Sequence, residues 1–145
     1  MAVRSIHRTA EVAYTPTQMF DLVNDVESYP QFLHWCHAAR IERSEGDIVE
    51  AALEIGLAGV YKTMRTRNRL ERPERISIEL LAGPFRHLEG EWHFKQRASG
   101  GCEVELLLSF DMTSSPLNMV FVPLFEEIVR TQVTAFVERA AELYG

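Results

Sequence analysis

The chain has 145 residues, 46% of them hydrophobic and 25% charged, with a net charge of −6 and two cysteines. This is length for one domain with a full core. It is too acidic for broad nucleic-acid binding through overall charge, DNA included. It is also too poor in cysteine for a disulfide framework, which points to a reducing compartment. Met1 to Ser5 contain no apolar signal core, and no stretch reaches the ~20 apolar residues that span a bilayer. The expectation is a cytoplasmic protein, peripheral at most to the inner face of a membrane.

In chain order, Val3 to Tyr14 reads as a strand with Ile6, Ala10, Val12 and Tyr14 on one face. Thr15-Pro16-Thr17-Gln18 is a helix start: Thr15 caps, Pro16 fits the first helical position and Gln18 completes a capping box. The helix carries Met19, Phe20, Leu22 and Val23 and stops near Asn24-Asp25. Tyr29-Pro30 opens a shorter helical turn through Phe32 and Leu33. From there the period changes to two. Ile41 leads into a turn at Ser44-Glu45-Gly46-Asp47. Val49, Ala51, Leu53 and Ile55 then alternate with Glu50, Ala52 and Glu54.

Gly56 and Gly59 flank the next turn, and Tyr61 to Arg69 is a polar strand broken by Arg72-Pro73-Glu74. Ile76, Ile78 and Leu80 alternate up to Gly83-Pro84. Leu88, Gly90, Trp92 and Phe94 form another inward row, Ser99-Gly100-Gly101 turns the chain, and Val104, Leu106, Leu108 and Phe110 complete the sheet. Ser115 to Gly145 is one long amphipathic helix. Its apolar stripe is Phe125, Ile128, Val129, Val133, Phe136, Ala140 and Leu143, opposite Glu127, Arg130, Glu138, Arg139 and Glu142. The run Leu117 to Phe125 is apolar on nearly every side, and Pro123, lacking an amide hydrogen, predicts a break or kink. Such a segment is either a movable lid able to dip into a membrane, buried core, or a dimer contact.

The order is one strand, two small helices, six strands in a meander and a long helix, with no repeat and no linker. It predicts an α+β domain over residues 1–145: a curved seven-stranded antiparallel sheet around a long C-terminal helix. A helix ~10–12 Å across does not fill a sheet of that size. Ala51 and Gly90 are small where a tight core would be bulky, so an apolar cavity is expected unless larger neighbours close it.

The reactive residues carry little chemistry. His34, Cys36 and His37 form a His-x-Cys-His cluster, but no second Cys/His pair follows at zinc-site spacing, so no metal is assigned. Cys36 as a nucleophile would need His87 or His93 brought beside it; a buried thiol next to Trp35 is the simpler reading. Asp21, Asp25 and Glu27 read as helix-end charges. No catalytic residue is assigned, and a non-catalytic binder is expected. Arg65, Arg67 and Arg69 share one strand face, with Arg72 and Arg75 beyond. They form a basic row for rRNA phosphates or anionic headgroups, or they pair across strands with Glu50 and Glu54, which the parity favours.

The segment Val26-Glu27-Ser28-Tyr29-Pro30-Gln31-Phe32-Leu33-His34-Trp35-Cys36 resembles the signature of the coenzyme Q-binding START-like family, within the polyketide cyclase/dehydrase superfamily. Ala52 to Gly59, Arg67-Asn68, Gly83 to Trp92 and Phe136-Val137-Glu138-Arg139-Ala140 match it in order, so the likeness covers nearly the whole chain. His34 stands where the family usually has proline, and Leu57 and Met64 where aromatics are common. The resemblance implies a helix-grip fold with a hydrophobic tunnel that binds an isoprenoid quinone such as ubiquinone, with no required cofactor and a role in respiratory electron transport. The family also includes bacterial ribosome association toxins, which implies a second function: binding the large ribosomal subunit and blocking subunit joining. Relatives named cyclases suggest a third, a small enzyme. Phe32, Trp35, Leu53, Ile55, Met64, Asn68, Phe85, Leu88, Trp92, Phe121, Phe125, Val129 and Phe136 are the expected ligand-binding residues. Arg65, Arg67 and Arg69 are the candidate ribosome contacts.

Overall fold

Alternation in the sequence becomes a single antiparallel sheet in the computed structural model, which describes residues 3–145. Met1 and Ala2, part of the Met1 to Ser5 segment read above, lie outside the described residues. The elements run β1 (Arg4–Val12), α1 (Pro16–Asn24), a 3-10 helix (Val26–Gln31), β2 (Cys36–Glu45), β3 (Ile48–Leu57), β4 (Val60–Glu71), β5 (Arg75–Ala82), β6 (Phe85–Gln96), β7 (Cys102–Met112) and α2 (Pro116–Tyr144). Strand order is β1-β7-β6-β5-β4-β3-β2, so the meander runs from β2 to β7 and β1 returns to pair with β7. The sheet curves around α2, the expected α+β helix-grip arrangement.

Local chemistry sets the helix starts. The Thr15 hydroxyl accepts from the Gln18 amide at 3.1 Å while the Gln18 side chain accepts from the Thr15 amide at 2.9 Å, a complete capping box. Ser115 caps α2 by accepting from the Asn118 amide at 3.0 Å, and Asn118 donates back to the Thr113 carbonyl at 2.7 Å. Thr113 in turn donates its amide to the Pro84 carbonyl at 3.0 Å, which fixes the root of α2 to the β5–β6 turn.

Two details differ from the sequence reading, and two choose between its alternatives. The short helix spans residues 26–31, ahead of the expected position. Its turn continues to Phe32 and Leu33 through their amides, which both donate to the Tyr29 carbonyl. α2 runs unbroken through Pro123, which lies on its exposed side, away from the buried Phe121 and Phe125 that pin the helix down. The run before it is not wholly buried: Leu117, Met119 and Val120 are exposed. Gly90 does not widen the interior, because the Leu108 side chain leans to 3.3 Å of where its Cβ would stand.

Register slips at His37 and Glu42 in β2, near Leu81 in β5 and at Arg86 in β6 mark bulges. At the β6–β7 hairpin, Gly101 holds φ +71°, and an added Cβ would collide with the Val12 carbonyl oxygen at the end of β1. Gly101→Ala is therefore expected to lower stability by about 1–3 kcal/mol, read from the urea midpoint. An unchanged midpoint would mean that this turn does not abut β1.

Candidate functional site

Between the inner face of the sheet and α2 lies a cavity of about 100 Å³. Its walls come from alternate residues of neighbouring strands: Ala51 and Leu53 of β3, Met64, Thr66 and Asn68 of β4, Ile78 of β5, Leu88 and Trp92 of β6, Leu106 and Leu108 of β7. Val26, Tyr29 and Trp35 close one side. Phe125, Ile128, Val129, Gln132 and Phe136 of α2 cover it, so both tryptophans of the chain border this space. Pockets for drug-sized ligands run ~300–1,000 Å³, whereas an engineered apolar cavity of about 150 Å³ holds benzene. The space is smaller than either, and it is not the long tunnel that the resemblance implies. Much of the expected room is taken by Phe136, whose ring centroid lies 5.3 Å from that of Trp92 and 5.4 Å from those of Tyr29 and Phe32.

Of the residues expected to bind ligand, Trp35, Leu53, Met64, Asn68, Leu88, Trp92, Phe125, Val129 and Phe136 border the cavity. Ile55 is fully buried elsewhere in the core, and Phe121 stacks on Phe125, as Phe85 packs on both Phe110 and Phe125. Phe32 packs on Tyr29 and Phe136 and is capped by the Arg139 guanidinium 5.0 Å away. None of these four borders the cavity. Thr66 and Gln132 border the space without having been singled out. The parity of β4 could have shown Thr66, since it lies between Met64 and Asn68 on the same face.

The cavity has one unusual polar feature. Inward positions line up across the sheet as Val49, Asn68, Ile78, Gly90, Leu108 and Ile6. Asn68, 9% exposed, is the polar member of this apolar row, and its side-chain oxygen Oδ1 has no hydrogen-bond partner among the described residues. The Tyr29 hydroxyl, by contrast, donates to the Val23 carbonyl, and burial holds its pKa above the ordinary value.

Nucleophilic chemistry is not assembled. The Cys36 thiol is pushed up to about 11 by burial, which outweighs a lowering by the Ala38 backbone, so it stays protonated near neutral pH. His87 and His93 lie on β6, separated from Cys36 of β2 by three strands, and are engaged by Ser109 and Glu91. Among the described residues no group of three His, Cys, Asp or Glu side chains is placed to hold a metal ion. Asp21 pairs with Arg72, Asp25 accepts from the Ser28 hydroxyl and Glu27 accepts from the Ile41 amide.

A larger groove, about 590 Å³, lies on the outward face of the sheet, bordered by His7, Arg67, Arg69, Glu79, Glu89 and Glu91. It is open and charged, unsuited to an apolar ring. The basic row is largely neutralised there. Arg67 donates to Glu50 at 3.0 Å and Glu79 at 3.2 Å, and these carboxylates, Glu50 first, raise its pKa. Arg65 takes Glu42 at 2.7 Å rather than Glu54, because the register sets Glu54 opposite Thr63 and a bulge brings Glu42 within reach. Arg69 has no ion pair among the described residues.

Residues 12–137 match the family described as polyketide cyclase / dehydrase and lipid transport. The chain is 41% identical over 140 residues to the ribosome association toxin RatA of Escherichia coli, covering 97% of this chain and 89% of the relative. It is 29% identical over 141 residues to the mitochondrial coenzyme Q-binding protein COQ10 homolog B of Xenopus laevis, covering 92% and 57%. A Streptomyces aromatase/cyclase structure superposes with a TM-score of 0.81 over 97% of this chain and 94% of its own, at 18% identity. At that identity the likeness concerns the fold alone.

Proposed function

The chain belongs to the polyketide cyclase / dehydrase and lipid transport family, and from that premise we propose that it is a non-catalytic lipid chaperone for an isoprenoid quinone such as ubiquinone. It holds the quinone ring in the internal cavity and so supports respiratory electron transport. The observation that carries this reading is the cavity itself: a mainly apolar space between the sheet and α2, bordered by both tryptophans and by Asn68. The likeness to a coenzyme Q-binding protein supports it. At about 100 Å³ the space has to widen to admit a substituted ring, and the isoprenoid tail has to leave along α2. The exposed trio Leu117, Met119 and Val120 at the root of that helix is where the protein would touch a membrane surface to exchange its lipid. Among the described residues no helix is long and apolar enough to cross one.

A second reading is favoured by one specific observation, the 41% identity across almost the full chain to a ribosome association toxin. In it the protein binds the large ribosomal subunit and blocks subunit association. Since Arg65 and Arg67 already hold carboxylates, Arg69 is the member of the basic row left to meet phosphate. No comparable observation favours the cyclase reading.

Mass spectrometry of lipid extracted from natively purified protein, run beside cosedimentation with large subunits across a salt series, tests the pair. Bound quinone without cosedimentation supports the chaperone. Lipid-free protein that cosediments, with binding that falls steeply as salt rises and weakens in Arg69→Glu, overturns it in favour of the ribosome.

A further inference from the structure

Resting on the reading that the cavity takes the ring of a quinone-type lipid, we infer that Thr66, Asn68 and Gln132 form one polar strip that binds the ring's oxygen substituents, in the oxidised and the reduced form alike. The three reach the cavity from two walls. Thr66 and Asn68 stand two residues apart on β4 and so share its inward face. Gln132 follows Val129 by three residues and precedes Phe136 by four, which sets it on the same face of α2. Asn68 is 9% exposed, and its Oδ1 accepts from neither Thr66 nor Gln132 nor any other group among the described residues. A buried amide that the protein leaves unsatisfied is unfavourable until water or a ligand meets it.

The rest of the wall limits what that ligand is. The other bordering side chains are aliphatic or aromatic, and the Tyr29 hydroxyl already donates to the Val23 carbonyl. Among the described residues no charged side chain borders the space, so an anionic carboxylate or phenolate would enter unpaired. A ring with neutral oxygens suits it. A hydroxyl and two carboxamides each carry a donor and an acceptor. A quinone carbonyl accepts from their N–H or O–H, and a hydroquinone hydroxyl donates to their oxygens. Neither redox form is preferred, and which end of the Asn68 amide meets the ring does not matter. A hydrocarbon ring of similar outline leaves all three groups unmet. The inference concerns binding alone and requires no electron transfer in the protein.

The experiment is anaerobic titration of the full chain, followed by NMR, with duroquinone, durohydroquinone and durene, which keeps the ring and its methyls but carries hydrogen in place of both oxygens. The quinone and the hydroquinone are expected to bind within about threefold of one another. Asn68→Leu, close in shape and without polar side-chain atoms, should weaken both by about tenfold, the order of one lost buried hydrogen bond, and durene by less than about twofold. In the unmodified protein the infrared carbonyl band of bound duroquinone should show a component below its position in cyclohexane, because a hydrogen-bonded carbonyl stretches at lower frequency. A band only at the cyclohexane position, a preference of about tenfold or more for either redox form, or an Asn68→Leu variant that weakens none of the probes or all of them equally would each overturn the strip while leaving the ring-binding reading standing. Failure of duroquinone and durohydroquinone to bind folded wild-type protein would overturn both. Because the infrared arm uses the unmodified chain, a poorly folding Asn68→Leu does not remove the test.

Discussion

Truncation of Phe136 to alanine is expected to lower the free energy of unfolding by about 3–5 kcal/mol. The side chain has no exposed surface. Its ring joins three parts of the molecule, meeting Trp92 of β6, Tyr29 of the 3-10 helix and Phe32 beyond it at centroid separations of 5.3 to 5.4 Å. Removing the ring leaves a hole that the rigid sheet cannot collapse into, and it also unseats the aromatic layer that fixes residues 26–32 onto α2. Against a typical total of 5–15 kcal/mol for a domain, that is a large share. Urea denaturation would measure it, and Phe136→Leu, which keeps most of the volume, should recover the greater part of the loss. A decrease under about 1 kcal/mol would show that the ring is not in the core. Since Phe136 also borders the cavity, the alanine variant enlarges it, so ring binding need not fall together with stability.

Leu53→Lys is expected to abolish ring binding. Leu53 is 8% exposed and faces the cavity from β3, opposite Met64 of β4. An ammonium there has no carboxylate on the inner wall to pair with, and an unpaired buried charge is strongly unfavourable. The introduced amine should respond by losing its proton, with a folded-state pKa well below the ordinary value of about 10.4. The sign follows directly. Between the lowered folded pKa and the unfolded one, the unfolded chain binds more protons, so stability is depressed at neutral pH and recovers as pH rises through that window. Thermal melts from pH 6 to pH 10 would show the rise, and lipid extraction would show the loss of ligand. A variant that folds, retains normal quinone and melts independently of pH would place Leu53 away from the cavity.

How much of this could be read from the sequence depended on whether a feature is local. The capping box at Thr15, the glycine turn at Gly100-Gly101 and the period-two rows of β3, β6 and β7 are all set by neighbours a few residues away, and each is where the spacing predicts it. Alternation tells which face a residue takes but not its depth. It put Ile55 on the inner side, and packing buried it away from the cavity; Phe85, out of phase with Leu88 across the bulge at Arg86, and Phe121 of α2 were not placed by alternation. The bulges in β2 were not legible, because that strand is exposed along most of its length and has no inward row whose phase an extra residue could break. For that reason Glu42, at a bulge in β2, was missed as the partner of Arg65, while Glu50, opposite Arg67 in an unslipped register, was found. Pro123 predicts a break that two buried phenylalanines override. The size of the cavity was also out of reach: it depends on the rotamers of Phe136 and its aromatic neighbours, a tertiary property.

The pairing of β1 with β7 has a consequence for how the chain is made. Ile6 lies opposite Leu108, so β1 leaves the ribosome roughly 100 residues ahead of β7, its partner strand among the described residues, and this non-local contact slows folding. At ~5–20 residues per second, the N-terminal strand waits about 5–20 s with its backbone groups unpaired, and α2, which packs against β1, is finished later still. The polar residues Arg4, His7, Arg8 and Glu11 along that strand would keep it solvated in the interval, during which a more apolar edge would seek another chain.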